Sequence, residues 1–146
     1  MNILVLNGPN LNLLGTREPS IYGSSTYEDL EDYLHSLEKI YHVTLEIHQS
    51  NHEGYLIDAL HQAKGYFGGI ILNAGAYTHY SYAIHDAIKA ISVPVVEVHI
   101  SNIEIRKEAW RKISVLKDAC IGQIQGLGFE SYEEGIKLLL KEGTQS

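Results

Sequence analysis

Four short apolar runs, each breaking into polar residues at its end, constrain this chain more than any other feature. Ile3-Leu4-Val5-Leu6 passes into Asn7-Gly8-Pro9-Asn10, and Val43-Thr44-Leu45-Glu46-Ile47 into Gln49-Ser50-Asn51-His52. Gly68-Gly69-Ile70-Ile71-Leu72 passes into Asn73-Ala74-Gly75-Ala76-Tyr77-Thr78-His79, and Val95-Val96-Glu97-Val98 into His99-Ile100-Ser101-Asn102. Such runs read as buried strands delivering polar groups to a surface. A fifth strand is expected over residues 119–124, with Gly126 and Gly128 in the turn that follows.

Helical patterns separate the strands. Thr26 caps the first, with Asp29 three residues on, and Leu30, Tyr33, Leu34, Leu37, Ile40 and Tyr41 recur at helical spacing to about His42. A second helix is expected over residues 51–65, a third over 81–90, a short one over 103–107 and a last over 131–140. That last helix carries Tyr132, Ile136, Leu139 and Leu140 on one side. Strands alternating with helices imply right-handed crossovers and a parallel sheet covered on both faces. Five strands in 146 residues favour a flavodoxin-like three-layer α/β sandwich of strand order 2-1-3-4-5, as a single domain over residues 1–146. In such a sheet ligands bind beyond the carboxyl ends of the strands, so the polar strand ends form the candidate site.

Composition narrows the function classes. A formal charge of -7 disfavours nucleic acid, which needs a clustered basic face. No apolar run reaches the roughly 18 residues of a membrane span. Met1-Asn2 enters the first strand at once, which leaves no room for a leader and predicts a cytoplasmic protein. The one cysteine, Cys120, lies in an apolar segment and reads as a structural thiol.

The strand ends lack the known cofactor signatures. No GxxxxGK[ST] or GxGxxG follows a strand, and Asn7 and Asn73 stand where a phosphorylation module would hold carboxylates. No HExxH and no cysteine pair suggests a metal, and Glu97 two residues before His99 reads as a carboxylate orienting an imidazole. Asn, His, Ser, Tyr and Arg remain, a set suited to a hydroxylated, negatively charged small molecule. A flavodoxin-like module that only binds a flavin or another anion is the competing class.

His79, His99 and Tyr22 are the candidate proton handlers, whereas His35, His42 and His61 read as surface or core residues. A phenol, with an ordinary pKa of about 10, is a poor base unless a cation stabilises the phenolate. Arg17, five residues before Tyr22 in the long loop over residues 7–25, is available for that.

Five separated segments together resemble type II 3-dehydroquinate dehydratase. They are Leu6-Asn7-Gly8-Pro9-Asn10-Leu11-Asn12-Leu13-Leu14-Gly15, Arg17-Glu18-Pro19 with Tyr22-Gly23, Gln49-Ser50-Asn51-His52-Glu53-Gly54, the stretch 73–79, and Glu97-Val98-His99-Ile100-Ser101-Asn102. With Gly122-Gln123-Ile124 and Gly126-Leu127-Gly128 they cover nearly the whole chain, in the family's order. The resemblance implies a cofactor-free, metal-free lyase. It would convert 3-dehydroquinate to 3-dehydroshikimate by anti elimination of water through an enolate, in the shikimate pathway toward chorismate and aromatic amino acids.

The resemblance also implies roles. Tyr22 would be the base and Arg17, on a lid, would hold it ionised. His99 would be the acid with Glu97 fixing its ring, and Asn10 would stabilise the enolate through a water. Asn73 and His79 would bind substrate hydroxyls, and Ile100 and Ser101 its carboxylate. Arg111, after Trp110 and in line with Ser114, would be the substrate-binding arginine and Arg106 structural. Asp86 would reach a neighbouring subunit's site in a homo-oligomer, a dodecamer built from trimers. Ala74 stands where the family commonly has proline.

Overall fold

The computed structural model describes residues 1–16 and 24–144. Five parallel strands, β1 (Asn2–Asn7), β2 (Thr44–Gln49), β3 (Gly69–Asn73), β4 (Val95–His99) and β5 (Gly122–Gln125), form one sheet of order β2-β1-β3-β4-β5. The chain thus has the flavodoxin-like architecture expected of it. Alternation along the strands divides the core. Ile3, Val5, Ile71, Val96 and Val98 face α1 (Tyr27–Tyr41) and α4 (Glu130–Thr144), meeting Leu30, Leu34, Tyr132, Ile136 and Leu139. Leu4, Leu6, Ile70, Leu72 and Val95 face α2 (Glu53–Gln62) and α3 (Tyr82–Ala90), meeting Leu56, Leu60, Ile84 and Ile88. Two apolar layers on a twice-covered sheet explain why the central strands β1, β3 and β4 are buried almost throughout, whereas the edge strand β2 keeps an alternating sequence.

Local chemistry sets the helix ends. Thr26 Oγ1 accepts from Asp29 N at 3.1 Å while Asp29 Oδ2 accepts from Thr26 N at 2.9 Å, a full capping box. His42 closes α1 in the left-handed region at φ 55°. Ser81 Oγ caps α3 by accepting from Ile84 N.

Several boundaries differ from expectation, and the last helix runs on to Thr144 rather than residue 140. The second helix is shorter at both ends, because Ser50 Oγ holds His52 N in a turn at its start and Ala63 closes it by a 3-10 type bond to Leu60. The segment after Asn102 makes only a 3-10 turn, Ile103–Ile105, where Asn102 Oδ1 accepts from Glu104 N. β5 begins at Gly122 rather than residue 119, since Lys117–Ala119 forms a 3-10 turn that closes on Cys120. Ala119 and Cys120 pack on the core from that turn, which gives an apolar stretch without a ladder. Burial pushes the Cys120 thiol up to about 12, with Glu97 and Asp118 adding to the effect, so it is an inert thiol. Among the described residues no helix is long and apolar enough to cross a membrane.

Candidate functional site

Register brings the strand ends level. Asn7 lies opposite both Gln49 and Asn73, so the first three polar loops leave the sheet in one row. Gly8 N donates to Asn73 O at 2.7 Å, and a Cβ on Gly8 would stand 2.5 Å from Ala74 O. Only glycine permits that approach. Asn10 adopts the left-handed conformation at φ 68°, and its N–H is held by Asn51 Oδ1 at 3.0 Å. Gln49 Nε2 donates to both Gly8 O and Asn51 Oδ1, and Tyr77 OH donates to Asn51 O at 2.8 Å. Three loops from distant parts of the sequence therefore form one rim.

Within that rim is a cleft lined by Asn10, Asn73, His79, His99, Ile100, Ser101, Arg106 and Arg111, with Pro9, Leu11, Gly75, Ala76 and Ile103 completing its walls. Its described lining carries two guanidinium groups and no carboxylate, a composition that favours an anion.

Glu97 is fully buried and His99 nearly so. The imidazole Nε2 lies 2.5 Å from Glu97 Oε2. Ser114 Oγ donates to the same carboxylate at 2.8–2.9 Å and Gln123 Nε2 at 3.2 Å, the latter from the residue paired with Glu97 across β5. Burial raises the Glu97 carboxyl, but the hydrogen bond and charge of His99, with the bonds from Ser114 and Gln123, outweigh it and hold the group below its usual range. An ionised Glu97 fixes the Nε2–H tautomer and leaves Nδ1 as the ring nitrogen offered to the cleft.

His79 is oriented differently. Its Nδ1 donates to Ile113 O at 2.7 Å and its ring meets Trp110 edge to face at 5.3 Å. Burial lowers its pKa, the bond to Ile113 opposes that, and the charges of His99, Arg111 and Arg106 lower it further. The ring is neutral, with Nε2 as an acceptor for a hydroxyl. Arg111 stacks on Trp110 at 4.2 Å and pairs with Glu108 through Nε at 3.2 Å.

Beneath the other side of the cleft runs an uncharged chain. Asn73 Nδ2 donates to Tyr132 OH at 2.9 Å, Tyr132 OH donates to Asn7 Oδ1 at 2.6 Å, and Asn7 Nδ2 donates to Tyr27 OH at 3.4 Å. Burial pushes the Tyr132 phenol well above its ordinary range, so it stays protonated.

Of the residues singled out in the sequence, the structure gathers Asn10, Asn73, His79, His99, Ile100, Ser101 and Arg111 around the cleft, with Glu97 behind His99. Arg106, expected to be structural, lines the same cleft, and its Nη1 donates to Ser101 Oγ at 3.2 Å. Asp86 is not brought to it: its side chain is 82% exposed on α3 and bonds His85. Tyr22 and Arg17 lie outside the described residues. Sequence reasoning missed Tyr132 and Asn7, and gave no contact to Ser114 or Gln123. Tyr132 had no signal, because on the apolar side of a helix it reads as packing. Paired asparagines at the ends of two strands did carry one.

The family model for dehydroquinase class II matches residues 1–140. The chain belongs to that family. It is 55% identical over 142 residues to a 3-dehydroquinate dehydratase of Bacillus pumilus, covering 97% of this chain and 96% of the relative. It is 50% identical over 141 residues to one of Bacillus subtilis, covering 97% and 95%. Among solved structures, a type II dehydroquinase of Butyrivibrio crossotus superposes with a TM-score of 0.92 at 48% identity, over 95% of this chain and 97% of that one. Full-length agreement with other class II dehydroquinases at this identity fits the cleft, which lies where an open α/β sheet binds ligands.

Proposed function

We propose that this chain works as a type II 3-dehydroquinate dehydratase, eliminating water from 3-dehydroquinate to give 3-dehydroshikimate by an anti route through an enolate. The observation that carries the reading is the Glu97–His99 pair: a buried, ionised carboxylate holds one imidazole nitrogen and turns the other into a cleft that favours anions. Elimination is redox-neutral, so its balance needs a base, an acid and somewhere for charge to develop. Tyr22 serves as the base that takes the proton beside the ketone. Arg17 closes over the substrate and keeps the phenol ionised. The enolate oxygen is stabilised through a water held by Asn10. His99 then delivers a proton from Nδ1 to the departing hydroxyl while Glu97 retains Nε2.

The remaining residues orient the ring. Neutral His79 accepts from a substrate hydroxyl, and Asn73 offers its carboxamide to another. The carboxylate is held by backbone N–H groups at Ile100 and Ser101 with Arg111, and the second guanidinium, Arg106, strengthens the local field. Asp86 is exposed and does not line its own cleft, which fits a role at the site of a neighbouring copy, in a homododecamer built from trimers. The enzyme belongs to the shikimate pathway toward chorismate.

The test is to add 3-dehydroquinate to purified, chelator-treated protein and follow the ultraviolet absorbance of the conjugated enone product. Prompt product formation is expected. Folded protein that binds the substrate without forming the enone would replace the lyase with a binding module.

A further inference from the structure

We propose that Tyr132 is a positioning residue for the reaction: it anchors the Nδ2 end of the Asn73 carboxamide and so holds that side chain in one orientation toward the substrate. This rests on the reading of Asn73 as a substrate-binding side chain.

The polarity of the buried chain follows from one backbone group. Gly75 N–H can only donate, and it meets Asn73 Oδ1 at 3.3 Å. Nδ2 is thereby turned toward Tyr132, whose oxygen accepts at 2.9 Å. A phenol has a single proton, so with its acceptor side occupied Tyr132 must donate elsewhere, and it does so to Asn7 Oδ1 at 2.6 Å. That in turn leaves Asn7 Nδ2 facing Tyr27 OH. Reversing the Asn73 amide would set Nδ2 against the Gly75 N–H, donor against donor, and would ask Tyr132 to donate twice.

Nothing else nearby can take over. Tyr132 and Asn7 are fully buried and Asn73 is 4% exposed, so water does not substitute freely for a lost partner. The carboxamide keeps one N–H and one lone pair beyond these bonds, and since Asn73 lines the cleft, the bond to the phenol on α4 and the bond from Gly75 together set how it is presented there. The Tyr132 ring itself packs in the core, so Tyr132→Phe keeps the packing and deletes only the acceptor and the proton. Asn73 then has a buried N–H without a partner and is held only by the 3.3 Å bond from Gly75 N to its Oδ1, so the carboxamide tilts away from the orientation that meets the substrate hydroxyl.

The experiment compares wild type, Tyr132→Phe, Asn73→Ala and the double variant with 3-dehydroquinate, together with thermal melts. Loss of oriented ground-state binding predicts a rise in KM of roughly three- to tenfold in Tyr132→Phe, with kcat within about twofold. In the double variant KM should match that of Asn73→Ala, because the phenol acts through that side chain. A lower Tm with unchanged KM, or effects that multiply in the double variant, would show a purely structural tyrosine and overturn the proposal. Should Tyr132→Phe fail to fold, Asn7→Ala keeps the ring and removes the acceptor of its proton. There a smaller rise in KM is expected, and an unchanged KM overturns the proposal. A wild type without turnover defeats the dehydratase reading itself. An active wild type in which Asn73→Ala raises KM and Tyr132→Phe does not defeats this inference alone.

Discussion

Two buried polar networks flank the cleft from opposite faces of the sheet, and they are built on different principles. On the face covered by α2 and α3, the Glu97 carboxylate collects His99, Ser114 and Gln123. On the face covered by α1 and α4, Tyr27, Asn7, Tyr132 and Asn73 form a chain with no ionised member. A buried charge is costly unless every lone pair is engaged, which is why three side chains converge on one carboxylate. A neutral chain needs only one donor per acceptor and can run linearly across the core. The charged network suits proton transfer, and the neutral one suits holding a shape.

The largest expected effect breaks the charged network at its working end. His99→Asn should lower kcat by about 10²–10⁴-fold, the usual worth of a general acid, with a native circular dichroism spectrum. A loss below tenfold would remove His99 from proton transfer. Next, Ser114→Ala strips one bond from Glu97 and should cut kcat by about tenfold, as for a hydrogen bond to a charged group. Equal kinetics to wild type would mean that the carboxylate is held well enough by His99 and Gln123.

The third prediction uses pH. Glu97 is held below its ordinary carboxylate range, so its contribution to stability is complete above the unfolded-state value, about 4.3, and is lost as pH falls through the lower folded value. Urea melts of wild type should therefore weaken more steeply below about pH 4 than those of Glu97→Gln. Parallel curves would show that the carboxylate is not the acid-sensitive group. The smallest effect lies at the far end of the neutral chain. Tyr27→Phe breaks a long 3.4 Å bond to the buried Asn7 amide and should cost about 1 kcal/mol, equally at pH 5 and pH 8, with KM unchanged. A pH-dependent loss would mean that the chain is not neutral.

The charged network was the more legible of the two. Glu97 and His99 alternate onto one side of a strand that ends in a polar loop, and that spacing alone says that one orients the other. Strand order followed from the alternation of elements and from chain length. The neutral chain was opaque because Tyr132 and Asn7 are far apart in sequence and the apolar pattern explains the phenol without its hydroxyl. The start of β5 was misread because Ala119 and Cys120 bury apolar surface from a turn, which periodicity cannot separate from a strand. Arg106 was set aside on motif spacing, whereas loop geometry after His99 brings both guanidinium groups to one wall.

The bond from Tyr132 to Asn7 spans 125 positions of sequence, and this has a consequence for the order of synthesis. The first strand and its loop leave the ribosome long before the last helix exists. Contacts so far apart close late, after most of the chain is in place. A nascent chain that has made every loop of the cleft still lacks the phenol beneath it, so the network under the cleft closes only once the final helix has docked.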